Sequence, residues 1–252
     1  MEPEPWRGLE VAHPTHMSLV LRNPHSVLAI LETRPQDILE IHLPSSQVQK
    51  TWSQVRSSAL DVGLRVNETP EGGRRANPGR SGSASASVKP RKPVPLERLF
   101  SNVSENSIWL ALDGVQDPQN LGSIFRTAAF FGLGGMLLTR RRSAPLSETV
   151  YDVASGGIEH VPFCVETNLS RALDFAKERG LWILGTSDRA DTSLGTIERD
   201  RPWLLLLGSE DRGLRRLSEE KCDAVCRIPS IGKVGSLNVS VAAAIFIHKL
   251  SS

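Results

Sequence analysis

Several common functions are argued against by what this sequence lacks. Among 252 residues there are three cysteines, Cys164, Cys222 and Cys226, and they form neither a CxxC pair nor a cluster with histidine. That spacing gives no zinc site, so no metal is expected, and it reads as reduced thiols in a cytoplasmic protein. Long apolar runs are missing as well. The longest, residues 203–207 and 241–247, fall well short of the ~20 residues a membrane helix needs, so no membrane partner is expected. The N-terminal MEPEPW has neither the basic nor the apolar segment of a secretion signal. Nor does charge of one sign dominate. Thirty basic and 28 acidic residues leave a net +2, so a nucleic-acid partner has to be argued from where the charges sit. There is no GxxxxGK[ST], no GxGxxG after a strand and no Ser/His/Asp arrangement, which removes the motif basis for a P-loop nucleotidase, a dinucleotide site or a serine hydrolase. His160 and His248 stand alone, and His248, near the end of an apolar helix, reads as structural.

What is present is an ordinary soluble composition, 39% hydrophobic and 23% charged, with length for one large or two modest domains. Residues 1–16 carry three prolines without periodicity and read as a mobile tail. Residues 17–66 read as a small α/β module. Val27, Leu28, Ile30 and Leu31 suit a buried helix face, and residues 38–43 a strand. Residues 48–62 suit a helix with Trp52, Val55, Ala59 and Val62 on one face, followed by a short strand at residues 64–66. Between Gly72 and Leu96 lie six basic residues and no acidic one. Such a run serves either as a solvated linker or as an arm that attracts phosphates, and the two roles are compatible.

From residue 105 the pattern becomes a regular alternation of near-continuous apolar strands with helices. Strands are expected at residues 108–112, 134–138, 181–185, 203–207 and 225–228, and helices at 121–131, 169–179 and from Ser236 to about Leu250. Strands without polar alternation are covered on both faces, which implies a parallel sheet with helices on both sides. Ligands of such sheets gather beyond the carboxyl ends of the strands. Three exits are rich in polar residues: 113–120, 208–213 and 229–238. At the first, Asn120 is placed as a helix cap. Arg126 sits in a mostly apolar helix, where a buried guanidinium would need a partner such as Glu210. At the third, Ser236 is an N-cap candidate and Asn238 an awkward first-turn residue. Taken singly, each exit is equally well read as a capped helix or a polar turn.

Together they carry a resemblance. DPQNLGSIFRTA (residues 117–128), LLGSEDRGL (206–214), and IP (228–229) with GSLNVSVA (235–242) resemble the three motifs of the SpoU/TrmH branch of the SPOUT methyltransferases, in family order and spacing. DVASGG (152–157) and VPF (161–163) are similar to the family as well. The resemblance spans residues 105–252 and is nearest the subgroup that methylates guanosine riboses of bacterial large-subunit rRNA. It implies a domain plan of a small α/β RNA-binding module at 17–90, a linker at 91–104 and a SPOUT methyltransferase domain at 105–252. It also implies a C-terminal trefoil knot, which composition and periodicity do not suggest, a homodimer, S-adenosylmethionine as methyl donor and RNA as acceptor. The rRNA reading rests on the N-terminal module. A tRNA-directed enzyme and a non-catalytic RNA-binding or ribosome-assembly protein remain the alternatives.

By the same resemblance the active-site positions are Asn120, Arg126, Glu210, Ser236 and Asn238, and the donor is held at Gly208, Ile228 and Leu237. A ribose hydroxyl is a weak nucleophile at neutral pH and needs a base or electrostatic help. The family pattern casts the arginine as base. Because a guanidinium stays protonated over the accessible pH range, the chemistry favours Arg126 as a group that positions the phosphate and stabilises the developing alkoxide. Two departures stand out. Ser230 replaces the family's Met after Ile-Pro, with a small change in donor-pocket packing expected. Arg80-Ser-Gly82 takes the place of His-Gln-Gly ahead of the module's last strand. Arg140-Arg-Arg142, directly after a strand, is either a phosphate contact or a solvated strand end.

Overall fold

The structure, a computed structural model, describes residues 18–45, 49–69, 84–209 and 212–252. The tail 1–16, the first part of the basic run (72–83, with Arg80-Ser-Gly82) and Glu210 fall outside the described residues.

Short apolar segments at the start of the chain build a small sheet. Its strands β1 (Leu19–Leu21), β2 (Ile38–Pro44), β3 (Val66–Thr69) and β4 (Ser85–Val88) lie in the order β1-β4-β2-β3. β4 is antiparallel to β1 and β2, and β2 is parallel to β3. Helices α1 (Pro24–Thr33) and α2 (Lys50–Asp61) pack against each other. α1 starts at Asn23, whose Oδ1 accepts the His25 amide at 2.9 Å, with Pro24 in the first turn. α2 buries Trp52, Val55 and Ala59 as its spacing predicts. Val62, expected on that face, lies past the helix end and is exposed, because Gly63 turns the chain away with φ +76°. The next strand begins at Val66, two residues later than expected, and β1 is a strand that the sequence pattern did not single out.

Residues 91–104 join this sheet to the next as a largely exposed segment anchored by two buried side chains. α3 (Leu96–Leu99) buries Leu99, and Phe100 meets Trp109 edge to face at 6.1 Å.

The larger sheet holds β5 (Ile108–Asp113), β6 (Gly135–Thr139), β7 (Phe163–Glu166), β8 (Trp182–Thr186), β9 (Thr192–Ser193), β10 (Trp203–Gly208) and β11 (Ala224–Arg227). All are parallel, in the order β7-β6-β5-β10-β8-β11-β9. The helices among them are α4 (Pro118–Phe130), α5 (Glu148–Ala154), α6 (Gly157–His160), α7 (Leu169–Glu178), α8 (Arg216–Glu219) and α9 (Val239–Ser251). Side chains alternate between the two faces of each strand. Leu110, Leu112, Leu205 and Leu207 enter the cluster with α4 and α9, while Trp109, Ala111, Leu204 and Leu206 enter the one with α7. Each fully buried leucine contributes roughly 1.5–3 kcal/mol relative to an exposed one. The uninterrupted apolar strands are thus accounted for by burial on both sides.

Both helices flanking the site start elsewhere than the sequence suggests. α4 is capped by Asp117, whose carboxylate accepts the Gln119 amide at 2.9 Å, and Asn120 sits within the first turn. Asp followed by Pro at the first helical position is a stronger start signal than an Asn three residues on. α9 is capped by Asn238, not Ser236. Asn238 has extended backbone (φ −53°, ψ 140°), and its Oδ1 accepts the Ser240 amide at 2.9 Å.

The two sheets are joined through one continuous apolar cluster that includes Val27 and Ile30 of α1 with Tyr151 and Ile158 of α5 and α6. Polar contacts lock that seam. Asp152 accepts the amides of Arg22 and Asn23 at 3.0 and 2.9 Å, and Asn23 Nδ2 donates to the Asp152 carbonyl at 2.7 Å. Ser26 Oγ donates to the Tyr151 carbonyl at 2.7 Å. Arg34 makes a bidentate pair with the buried Glu159 at 2.8 and 2.8 Å. Burial alone would lower the Arg34 pKa, yet the hydrogen bonds and charge of Glu159 leave it raised. Arg91 completes the seam: its amide donates to the Tyr151 hydroxyl at 2.7 Å and its guanidinium to the carbonyls of Ile158 and Val161.

Candidate active site

At the carboxyl ends of β8, β10 and β11 the chain opens a cavity of about 520 Å³. Gly208, Ile228 and Leu237, named from sequence as donor-holding positions, all line it, and so does Ser236. The loop from residue 229 to 238 forms one wall with its side chains turned to solvent; Ile231 is fully exposed and Val234 is 75% exposed. Val234 lines the cavity and is not used by the core, which leaves it for a ligand with an apolar surface. Ser230, in the place of the family methionine, also lines the cavity, and its hydroxyl donates to the Val234 carbonyl at 2.9 Å, tying that loop to itself.

The opposite wall is the turn after β10. A Cβ at Gly208 would lie 2.1–2.3 Å from the backbone of Gly213 and Leu214, so only glycine lets the chain cross itself there. Ser209 and Gly213 exchange amide bonds at 3.2 and 2.9 Å, which closes the turn over the strand tip. Beneath it lies Asp113, 1% exposed and paired in register with Gly208. Its Oδ2 accepts the Ser218 hydroxyl at 2.7 Å. Arg215 Nη2 stands 3.1 Å from Oδ1 as an ion pair, without the alignment of a hydrogen bond.

Beside the cavity, the first and third exits meet. Asn238 Nδ2 donates to Asn120 Oδ1 at 2.9 Å across 118 residues of sequence. Leu237 and Val239, on either side of Asn238, line the cavity. Arg126 is about 1.7 turns further along α4, and it is exposed, against the buried guanidinium expected from its apolar neighbours. Ile124 and Ala128 face the core, and Arg126, two residues from each at ~100° per residue, falls on the opposite side of the helix. Arg126 has no hydrogen bond or ion pair among the described residues, so its donors are open to solvent. Its main chain, by contrast, is tightly backed: a Cβ on Gly157 of α6 would lie 2.9 Å from Arg126 Cα. Glu210, and with it the pairing with Arg126 suggested from sequence, lies outside the described residues.

Two contributors were not singled out in the sequence. Residues 186–189 (Thr-Ser-Asp-Arg) line the cavity after β8; a polar run directly after an apolar strand is the signal that would have found them. From sequence Asp113 reads only as the first residue of a polar exit, whereas it ends β5 and is buried; nothing local tells a buried strand-end carboxylate from a solvated one. Burial pushes the thiols of Cys164, Cys222 and Cys226 up to about 12, which disfavours the reactive thiolate.

The chain is similar to known proteins in sequence and in fold. The profile described as the SpoU rRNA Methylase family matches residues 107–248. The 23S rRNA (guanosine-2'-O-)-methyltransferase RlmB of Nitrosomonas europaea is 38% identical over 89% of this chain and 88% of its own length. RlmB of Bordetella pertussis is 35% identical over 91% and 95%. Among solved structures, the SpoU methyltransferase AviRb of Streptomyces viridochromogenes in complex with AdoMet superposes with a TM-score of 0.75. It is 20% identical and covers 93% of this chain and 89% of its own, a likeness of fold. With a family profile over more than half the chain, and relatives that align through the small sheet as well as the large one, this chain belongs to the SpoU rRNA methylase family.

Proposed function

We propose that the protein is an S-adenosylmethionine-dependent RNA ribose 2′-O-methyltransferase whose substrate is a guanosine of large-subunit rRNA. The observation that carries this is the cavity at the exits of β8, β10 and β11 with the Asn120–Asn238 bond beside it. Two RlmB relatives named for 23S rRNA guanosine methylation support the substrate class, and their alignments extend over the N-terminal module.

The cavity fits the donor: apolar side chains at Ile228 and Leu237 suit a flat base, and the strand ends offer polar groups to its hydroxyls and charged ends. When bound, S-adenosylmethionine supplies an electrophilic methyl on sulfur. The chain's own part is to place the ribose hydroxyl. Arg126, exposed and unpaired among the described residues, offers a fixed charge and a fork of donors to the phosphate and the oxygen where negative charge grows. The Asn120–Asn238 bond fixes the start of α9, and with it the end of the 229–238 loop, against α4. Glu210 and Ser236 complete the proposed catalytic group. In this reading residues 17–90 bind the rRNA and residues 105–252 carry out transfer.

A knot and a dimer belong to the same proposal. The chain passes from β10 across β8 to β11, then returns as α9 to pack on β10 and β5, a crossing that supports a knotted C-terminus. Val241 and Ile245 form an exposed apolar stripe on α9, and Phe130 beside it is 82% exposed, which supports a second copy as partner.

The test is transfer of radiolabelled methyl to unmodified 23S rRNA and to tRNA, with mapping of the product. Label on a large-subunit guanosine ribose is expected; label on neither RNA overturns the proposal. Arg126→Ala should lower kcat by roughly 10²–10³ with donor binding retained, and Arg126→Lys should recover part of that loss.

A further inference from the structure

We infer that the turn after β6, Arg140-Arg141-Arg142, together with Arg215, forms a ledge that grips the RNA backbone next to the target nucleotide. This rests on the RNA methyltransferase reading and names a part of the chain that the reading leaves unused.

The turn is built, not frayed. The Arg140 amide donates to the Glu166 carbonyl at 2.8 Å, and the Ala144 amide donates to the Val115 carbonyl at 2.9 Å. The Thr139 hydroxyl is 2.6 Å from the Ser143 hydroxyl and 3.4 Å from the Leu112 carbonyl. Arg142 is held at φ 58°, one of two non-glycine residues in the left-handed region among the described residues. That backbone is costly for a residue with a Cβ, and it persists only where its surroundings enforce it. The result is three consecutive exposed arginines with no ion pair or side-chain hydrogen bond among the described residues. Like charges gathered without a counter-charge repel one another, and an anion relieves that repulsion.

Position identifies the anion. A Cβ placed on Gly114, one residue after Asp113, would lie 3.4 Å from the Arg142 carbonyl, 3.6 Å from Arg215 Nη2 and 3.9 Å from Ser209 Cβ. The arginine turn, the Arg215 guanidinium and the cavity wall therefore meet at one point. Asp113 holds Arg215 there from below, at 3.1 Å. A run of exposed arginines beside the wall of the proposed methyl-transfer cavity matches a chain of phosphates better than one isolated anion. Phosphate contacts of this kind fix register without reading bases.

The experiment uses the full chain, in vitro transcribed 23S rRNA and a series of KCl concentrations. The triple variant Arg140→Gln, Arg141→Gln, Arg142→Asn removes the charges while placing at 142 a residue tolerant of the left-handed backbone. Its RNA affinity is expected to fall at least tenfold. The slope of log affinity against log salt should shrink by about 2, at ~0.7 per lost phosphate contact. The loss in methylation should fall on KM for RNA, with donor affinity unaltered. The triple Lys variant should recover most of the salt slope. RNA affinity within twofold of the parent, an unaltered slope, or equal loss in the Gln/Asn and Lys variants overturns the ledge. Wild-type RNA binding without methyl transfer to any RNA would instead overturn the enzymatic reading, leaving the salt-slope result to judge the ledge.

Discussion

Asn238 has two jobs that one side chain can be made to separate. Its Oδ1 caps α9 and its Nδ2 reaches Asn120. Serine caps helices about as well as asparagine but is too short to span to Asn120. Asn238→Ser should therefore keep the melting temperature within a few degrees and lower methyl transfer severalfold or more, whereas Asn238→Ala should also lose about 1 kcal/mol of stability. Equal activity in Asn238→Ser and the parent would show that the cross-link has no part in the reaction. The identity of Asn120 and Asn238 was legible from motif order; their mutual bond was not, because 118 residues separate them and only the fold brings them together. Arg126 shows the opposite failure. Its apolar neighbours suggested burial, yet a helix places adjacent residues 100° apart, so composition alone cannot say which way one residue points.

At the scale of elements, the seam between α1 and the α5–α6 pair concentrates the polar energetics. Glu159 is 5% exposed and holds Arg34 bidentately. Removing one member of a buried pair leaves an uncompensated charge. Glu159→Ala should thus cost about 3–5 kcal/mol in urea unfolding, while Arg34→Met combined with Glu159→Leu should cost less than either single change. Additive losses in the double variant would contradict that coupling. Asp152, in the same seam, has its carboxyl raised above 3.8 by burial, although the amides of Asn23 and Arg22 pull it down. A carboxyl raised in the folded state binds its proton more tightly there than in the unfolded chain. Its contribution is fully present below 3.8 and is lost as pH climbs through the native value. The stability of the parent relative to Asp152→Asn should accordingly fall with rising pH across that window and level off above it. A relative stability that climbs with pH would reverse the assignment.

For the whole molecule, the exposed α9 stripe carries the association prediction. Light scattering should give twice the chain mass at micromolar concentration, and Ile245→Glu should return it to the single-chain mass, because a charge at an apolar interface is left desolvated and unpaired. A parent that scatters as a monomer removes the dimer from the proposal.

By itself the sequence determined the strand-and-helix alternation, the parallel sheet and the three polar exits. Each of these follows from local rules: apolar continuity where both faces are covered, turn residues where the chain leaves a strand. It also placed the motifs in order, from which the family followed. The cap positions went to Asp117 and Asn238 because capping depends on backbone angles at one residue, which a pattern of residue types leaves open by a few positions. Only the tertiary structure decided that Gly208 is needed where the chain crosses itself, that Asp113 is a buried anchor, and that α1 is locked to α5 and α6. Those are contacts between residues distant in the chain. Their energies come from burial and exclusion in the assembled core, and no local stretch of sequence contains them.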